Sequence, residues 1–408
     1  MRILKLCLII IVLVLLSFGF AGMSHAFHSG GVGECGGCHS MHSPKAGGSY
    51  LLVASDYSST CLTCHEHAGD TGPSSYHIST AVADLSAGVP PKQLTPGGDF
   101  GWLRKDYSFV VRGTTTNEDG DTHGHNIVAV DYGYSSDSTN TQAPGGTYLS
   151  SNLGCTSCHN PHGKWRRVSN GGVINSGAPI IASGSYDNSP VPETGEAVGV
   201  YRLLNMINRG TPPMAVAPST YNRDESTTQT RVAYGSSSVQ KWGAWCASCH
   251  TNIHSDNGYT HPVDETLGSS IAAKYANYVK TGDMSGSSAT SFNSLIPFAE
   301  NTSSYSVLKN HAKNNDTFLN GPASSDKVTC ISCHRAHASG WEYGLRWNME
   351  GEFITYAGQF PGTDTTPSQP QFARGRVAAE TQKAYYDRPV AKFATYQRVL
   401  CNKCHVQD

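Results

Sequence analysis

The chain has 408 residues, 38% apolar and 15% charged, with 43 Gly and 20 Pro and a formal charge of −2. So many backbone punctuators argue against a helical bundle or coiled coil, and a chain without a basic run argues against nucleic-acid binding. Nor do the 13 Cys form a small disulfide knot, because 12 of them stand in Cys-x-x-Cys pairs, each followed directly by His.

Residues 1–26 hold Arg2 and Lys5, an apolar run over 6–20, and Ser24-His25-Ala26 as a small-x-Ala cleavage pattern. This predicts a secretory signal peptide, with Phe27 as the mature start and residues 27–408 as a single domain. The run is short for a bilayer span, and the flanking cleavage pattern argues against an anchor. Cys7 leaves with the signal, so every remaining Cys belongs to a motif and none is left for a disulfide. Loss of Arg2 and Lys5 takes the formal charge from −2 to −4. After Phe27 no stretch is long and apolar enough to cross a membrane, so the expected product is exported and soluble.

The motifs follow in order: Cys35-Gly-Gly-Cys38-His39, Cys61-Leu-Thr-Cys64-His65, Cys155-Thr-Ser-Cys158-His159, Cys246-Ala-Ser-Cys249-His250, Cys330-Ile-Ser-Cys333-His334 and Cys401-Asn-Lys-Cys404-His405. Two thiols three residues apart can add to the two vinyl groups of one haem, and the adjoining His then lies under the iron. Six copies that use every mature Cys, in an exported chain, favour haem c over a zinc or redox-disulfide site. The expectation is six covalently bound haems. They leave about 64 residues for each, too few for separate domains. The haems must share one core, and a chain rich in Gly, Ser, Thr, Asn and Pro is then expected to be mostly loop and turn, with short helices at the motifs and few strands. One longer helix is expected near 380–392. Haem propionates make the holoprotein acidic, with Arg104, Lys105, Arg166 and Arg167 as candidate partners.

Beyond the six proximal His, eleven remain in the mature chain. They are enough to give every iron a second imidazole, closing it to substrate. His42, His162 and His337 each come three residues after a proximal His. Such a side chain leaves from the proximal side, so if it binds iron it binds a different haem. His77, His125, His261 and His311 stand away from the motifs and complete the distal candidates. His28, His67 and His254 are reserves, and His123 has no evident place. Residues 117–121, Asn-Glu-Asp-Gly-Asp, resemble part of a calcium loop without its terminal Glu and read better as a polar turn.

Segments such as FHSGGVGECGGCHSMH, TPGGDFGW, CHNPHGKWRR, TTQTRVAYG, CISCHRAHASG and YQRVLCNKCH resemble the OmcS-type outer-surface hexahaem cytochromes of metal-reducing bacteria. The likeness runs from Phe27 to the C-terminus and is weaker around 170–218 and 256–294. It implies a loop-rich bis-His hexahaem protein that polymerises head to tail into a filament with a continuous haem chain. It also implies that His42 ligates the haem on His334 of a neighbouring subunit. Electrons would then pass from other c-type cytochromes to extracellular acceptors such as metal oxides, and the protein would lie at the outer cell surface or in an extracellular filament. The alternatives are a periplasmic multihaem reductase, which needs an open iron often marked by a departure from Cys-x-x-Cys-His, and a soluble electron shuttle.

Overall fold

A computed structural model describes residues 35–40, 42, 44–45, 49–73, 77–159, 161, 203, 213–218, 221–253 and 261–406. The expected signal peptide, His28, His162, His254, Arg166 and Arg167 lie outside them. Among the described residues the helices are short: α1 (Cys35–Cys38), α2 (Tyr57–His65), α3 (Trp242–Cys246), α4 (Gly268–Asn277), α5 (Tyr305–His311), α6 (Cys330–Cys333), α7 (Pro370–Ala373), α8 (Ala378–Ala384) and α9 (Asn402–His405). Five of them touch or contain a Cys-His motif, and the third motif carries a 3-10 turn, Cys155–Ser157, instead. The mostly-loop architecture is as the composition predicts.

The helix expected over 380–392 is interrupted. α8 ends at Ala384, and only a 3-10 turn, Val390–Lys392, follows. Pro389 supplies no N–H and holds Arg388 away from helical backbone angles. Tyr386 and Asp387 turn left-handed, with φ 61° and 56°. The bend lets Arg388 pair with buried Glu225 at 2.7 Å.

The strands are few. β1 (Tyr107–Val111) and β2 (Thr114–Glu118) form an antiparallel hairpin that pairs Tyr107 with Glu118 and Val111 with Thr114. Its turn, Arg112-Gly113, takes φ 51° and 82°, the twist that a two-residue hairpin requires. β4 (Ala233–Gly235) is flanked by antiparallel β3 (Ala215–Val216) and parallel β5 (Ala299–Glu300). β6 (Phe353–Thr355) pairs with β7 (Gln397–Arg398) across an irregularity.

The apolar core is divided into clusters, three of which back Cys-His turns. Trp102, Tyr275, Trp341, Trp347 and Tyr385 belong to the cluster that Cys333, Cys401 and Cys404 pack against. Val232, Tyr234, Trp242 and Ile331 form another around the fourth and fifth motifs, and Leu62, Phe100 and Ile127 a third, beside Cys155. No helix among the described residues is long and apolar enough to cross a membrane.

Candidate haem-binding site

Four of the motifs are tightened by the same local hydrogen bond. The amides of His159, His250, His334 and His405 donate to the carbonyl of the first Cys of their own motif at 2.9, 3.2, 2.9 and 3.0 Å. The turn this closes draws the two Cys and the imidazole of one motif together. The hydroxyls of Ser157 and Ser332 accept the Gly154 and Thr329 amides, capping the turns with the residue before the second Cys. α2 is started by Asp56, whose carboxylate takes the Ser59 amide at 2.7 Å and the Val130 amide at 2.8 Å, fastening the second motif to the segment at 130.

Thiols of successive motifs meet. Cys61 and Cys155 hydrogen-bond with each other, as do Cys246 and Cys330. Cys38 feels Cys61, Cys158 feels Cys249, and Cys333 feels Cys401 and Cys404. Burial pushes the Cys158 and Cys333 thiols up to about 12 and Cys404 up to about 11. The thiols are not alike, since the bond from Cys61 lowers Cys155, and Cys64 is exposed.

The imidazoles carry the decisive geometry. A metal–imidazole nitrogen bond is about 2 Å long, so two rings on opposite sides of one metal keep their centres roughly 6 Å apart. Three proximal His face a distal candidate at that spacing: His159 and His337 at 6.2 Å, His250 and His125 at 6.1 Å, and His405 and His261 at 5.9 Å. His337 therefore crosses to a motif other than its own. It is wedged against Phe100, ring centres 4.7 Å apart, and its amide bonds the Gly97 carbonyl at 2.8 Å. Burial lowers the His337 ring to about 3 and lowers His125 and His334 as well, leaving neutral imidazole, the form a metal takes.

Second partners orient the rings. The Nδ1–H of His39, His125, His250 and His334 donates to the carbonyls of Tyr50, Ala336, Pro144 and Tyr343 at 2.8–2.9 Å. His77 and His311 donate instead to carboxylates, Asp70 and Glu300, each at 2.6 Å. With Nδ1 engaged, Nε2 keeps its lone pair for iron. These partners were illegible in the sequence, since none has a fixed offset from its His.

His123 is placed by the same rule. It is fully buried, with Nδ1 bonded to the Trp102 carbonyl and Nε2 to Glu118, both at 2.8 Å. No nitrogen remains for a metal, and the residue is structural. The reserve His67 lies 6.1 Å from His77 in a nearly parallel plane. Neither is the His of a Cys-x-x-Cys-His motif, so spacing alone does not make a haem site. His42 is exposed and close to the first motif.

Two sequence expectations are corrected. Arg104 is committed to the Thr80 and Tyr132 carbonyls and to the Tyr134 ring, and Lys105 to Glu380 at 2.7 Å. Desolvation inside the fold claimed both side chains that were expected to meet propionates. In residues 117–121, Glu118 is buried against Arg374, Arg376 and His123. It cannot serve a calcium loop, and the segment is not a plain polar turn either: Asn117 and Glu118 end β2, and a 3-10 turn runs from Gly120 to His123.

Motif imidazoles that face a second His at a spacing with room for a metal between them, with paired thiols alongside, suit a covalently held porphyrin: the fold and site are those of a multihaem c-type cytochrome. No family model matches the chain. It is 49% identical over 421 aligned positions to the C-type cytochrome OmcS of Geobacter sulfurreducens, covering 95% of this chain and 96% of that one. Two structures from that organism, a cryo-EM structure of the OmcS nanowires and a structure of the Outer Membrane Cytochrome S filament, match with TM-scores of 0.80 and 0.79. Each is 48% identical and covers 94% of this chain and all of theirs. The chain belongs to the OmcS family of c-type cytochromes.

Proposed function

We propose that this chain carries six haem c groups, one on each Cys-x-x-Cys-His motif, and passes electrons through them as the subunit of an extracellular head-to-tail filament. Its donors are other c-type cytochromes and its acceptors extracellular, such as metal oxides. Bound haem supplies an iron that gains and loses one electron; the protein's residues hold it, close its second axial position and keep neighbouring groups in contact. The signal-like residues 1–26 and a single domain over 27–408 belong to the same reading.

The observation that carries it is the set of three facing imidazole pairs. Irons closed on both sides relay electrons but offer a substrate no coordination position, which sets the carrier above the reductase. The polymer reading is supported by His334. Its Nδ1 is anchored to the Tyr343 carbonyl, and no imidazole stands opposite it among the described residues. Exposed His42 is the ligand suited to supply one from a neighbouring subunit. A second subunit bound through unlike surfaces forms a heterologous contact, which propagates into a filament when it does not close.

The test is an EPR spectrum of the oxidised secreted material together with its intact mass. The expected result is wholly low-spin iron and the mass of the chain from Phe27 plus six haems. A substantial high-spin signal with stoichiometric cyanide binding would favour the reductase.

A further inference from the structure

The ring anchors described above are not equivalent. Four of the His with a resolved anchor donate Nδ1–H to a neutral backbone carbonyl, whereas His77 and His311 donate to a carboxylate. A carboxylate acceptor draws the Nδ1 proton toward itself and leaves more electron density on Nε2, making the ring a stronger donor to a metal. A stronger donor favours the ferric over the ferrous state.

The two carboxylates differ in turn. The Asp70 carboxylate meets the His77 ring at 2.6 Å and the neutral amide of Gln93 at 3.1 Å, while the nearby Lys92 ammonium bonds the Asp70 backbone carbonyl and pairs with Asp84 at 3.4 Å. Both partners are shielded, with side-chain exposures of 9% for His77 and 14% for Asp70, so little water screens the charge. Glu300 is divided: one oxygen meets His311 at 2.6 Å and the other meets the Arg231 guanidinium at 3.0 Å. Arg231 takes up part of the charge that would otherwise act on the ring, and His311 is the more open of the two His, at 27%.

We infer that Asp70 and Glu300 tune the potentials of the haems ligated by His77 and His311, Asp70 setting the lower of the two and Glu300 a milder depression moderated by Arg231. The carbonyl-anchored sites then lie above both, and the haem chain has built-in steps rather than six equal rungs. The inference rests on the reading of His77 and His311 as axial ligands.

The experiment is spectroelectrochemical titration of the full-length haem-loaded protein, with EPR of the oxidised form, for wild type, Asp70→Asn, Glu300→Gln and His77→Ala. Asn and Gln keep the shape and an acceptor but remove the charge. The expected result is that Asp70→Asn stays wholly low-spin while one of six components shifts to higher potential, and that Glu300→Gln shifts another by less. Unchanged potentials in both low-spin variants overturn the tuning role, and a larger shift in Glu300→Gln overturns the ranking. A new high-spin signal in Asp70→Asn makes Asp70 a clamp on ring position, which also overturns tuning. Separately, His77→Ala is expected to gain one high-spin iron; if it stays wholly low-spin, the ligand reading beneath the inference fails.

Discussion

The buried Glu118 shows how much of this fold depends on single polar side chains. Burial alone would raise its carboxyl, but Arg376 and His123 hold it well below the usual range, and Arg374 adds a bond at 2.9 Å. A carboxyl depressed in the folded state contributes stability that is full above its unfolded value, about 4.5, and is lost as pH falls below it. Wild-type urea midpoints measured from pH 7 down to pH 3 should therefore drop more steeply than those of Glu118→Gln; equal slopes would remove this account. At pH 7 Glu118→Gln should itself be destabilised by about 3–5 kcal/mol, because the fully buried Arg376 is left without a carboxylate partner, whereas Arg374 keeps Glu342. His123, in the same cluster, is the control for iron ligation. His123→Gln should lower the melting temperature yet leave the EPR spectrum wholly low-spin, since neither of its nitrogens is available to a metal.

At the scale of elements, close backbone approach sets where the distal rings stand. Gly98, at φ 98°, lies so near the segment after the fifth motif that an added Cβ would meet the Ala338 carbonyl at 1.7 Å. That segment carries His337 to His159. Gly98→Ala should cost at least about 2 kcal/mol from overpacking and the left-handed backbone, and should open the haem on His159 to added cyanide; a variant with native stability and no cyanide binding would contradict this coupling. The motif turns and their short helices were legible because Cys, Ser and His at fixed offsets close a local hydrogen-bond pattern. That His337 must serve a motif other than its own was legible from its three-residue offset. The partners of His250 and His405 were not: His125 and His261 reach them through loops whose course follows from tertiary packing. Arg104 and Lys105 misled because a charge in sequence does not reveal whether the fold or a cofactor will satisfy it.

For the whole molecule, assembly and electron transfer hang, in the proposed function, on the same coordination. His42→Ala should leave all six haems attached, shorten or abolish filaments in electron micrographs, and add one high-spin iron per subunit. Filaments of normal length and wholly low-spin iron would move the intersubunit ligand elsewhere, with His28 next. His311→Ala should disturb a haem within the subunit and spare filament length. The two variants together separate a ligand that joins copies from one that completes a copy.

The facing pairs also impose a timetable on the newly made chain. His159 emerges long before His337, whereas His125 and His261 are already present when His250 and His405 arrive. A haem loaded early on the third motif must wait for its proper ring while exposed imidazoles such as His67 are at hand, and closing so long a loop is entropically slower than binding a near one. Wrong ligation in that interval is a kinetic trap that the finished structure conceals. Free imidazole at millimolar concentration, by competing with the wrong rings, should accelerate the slow phase of refolding of the haem-bearing chain, and a rate indifferent to imidazole would mean that the third site waits unligated.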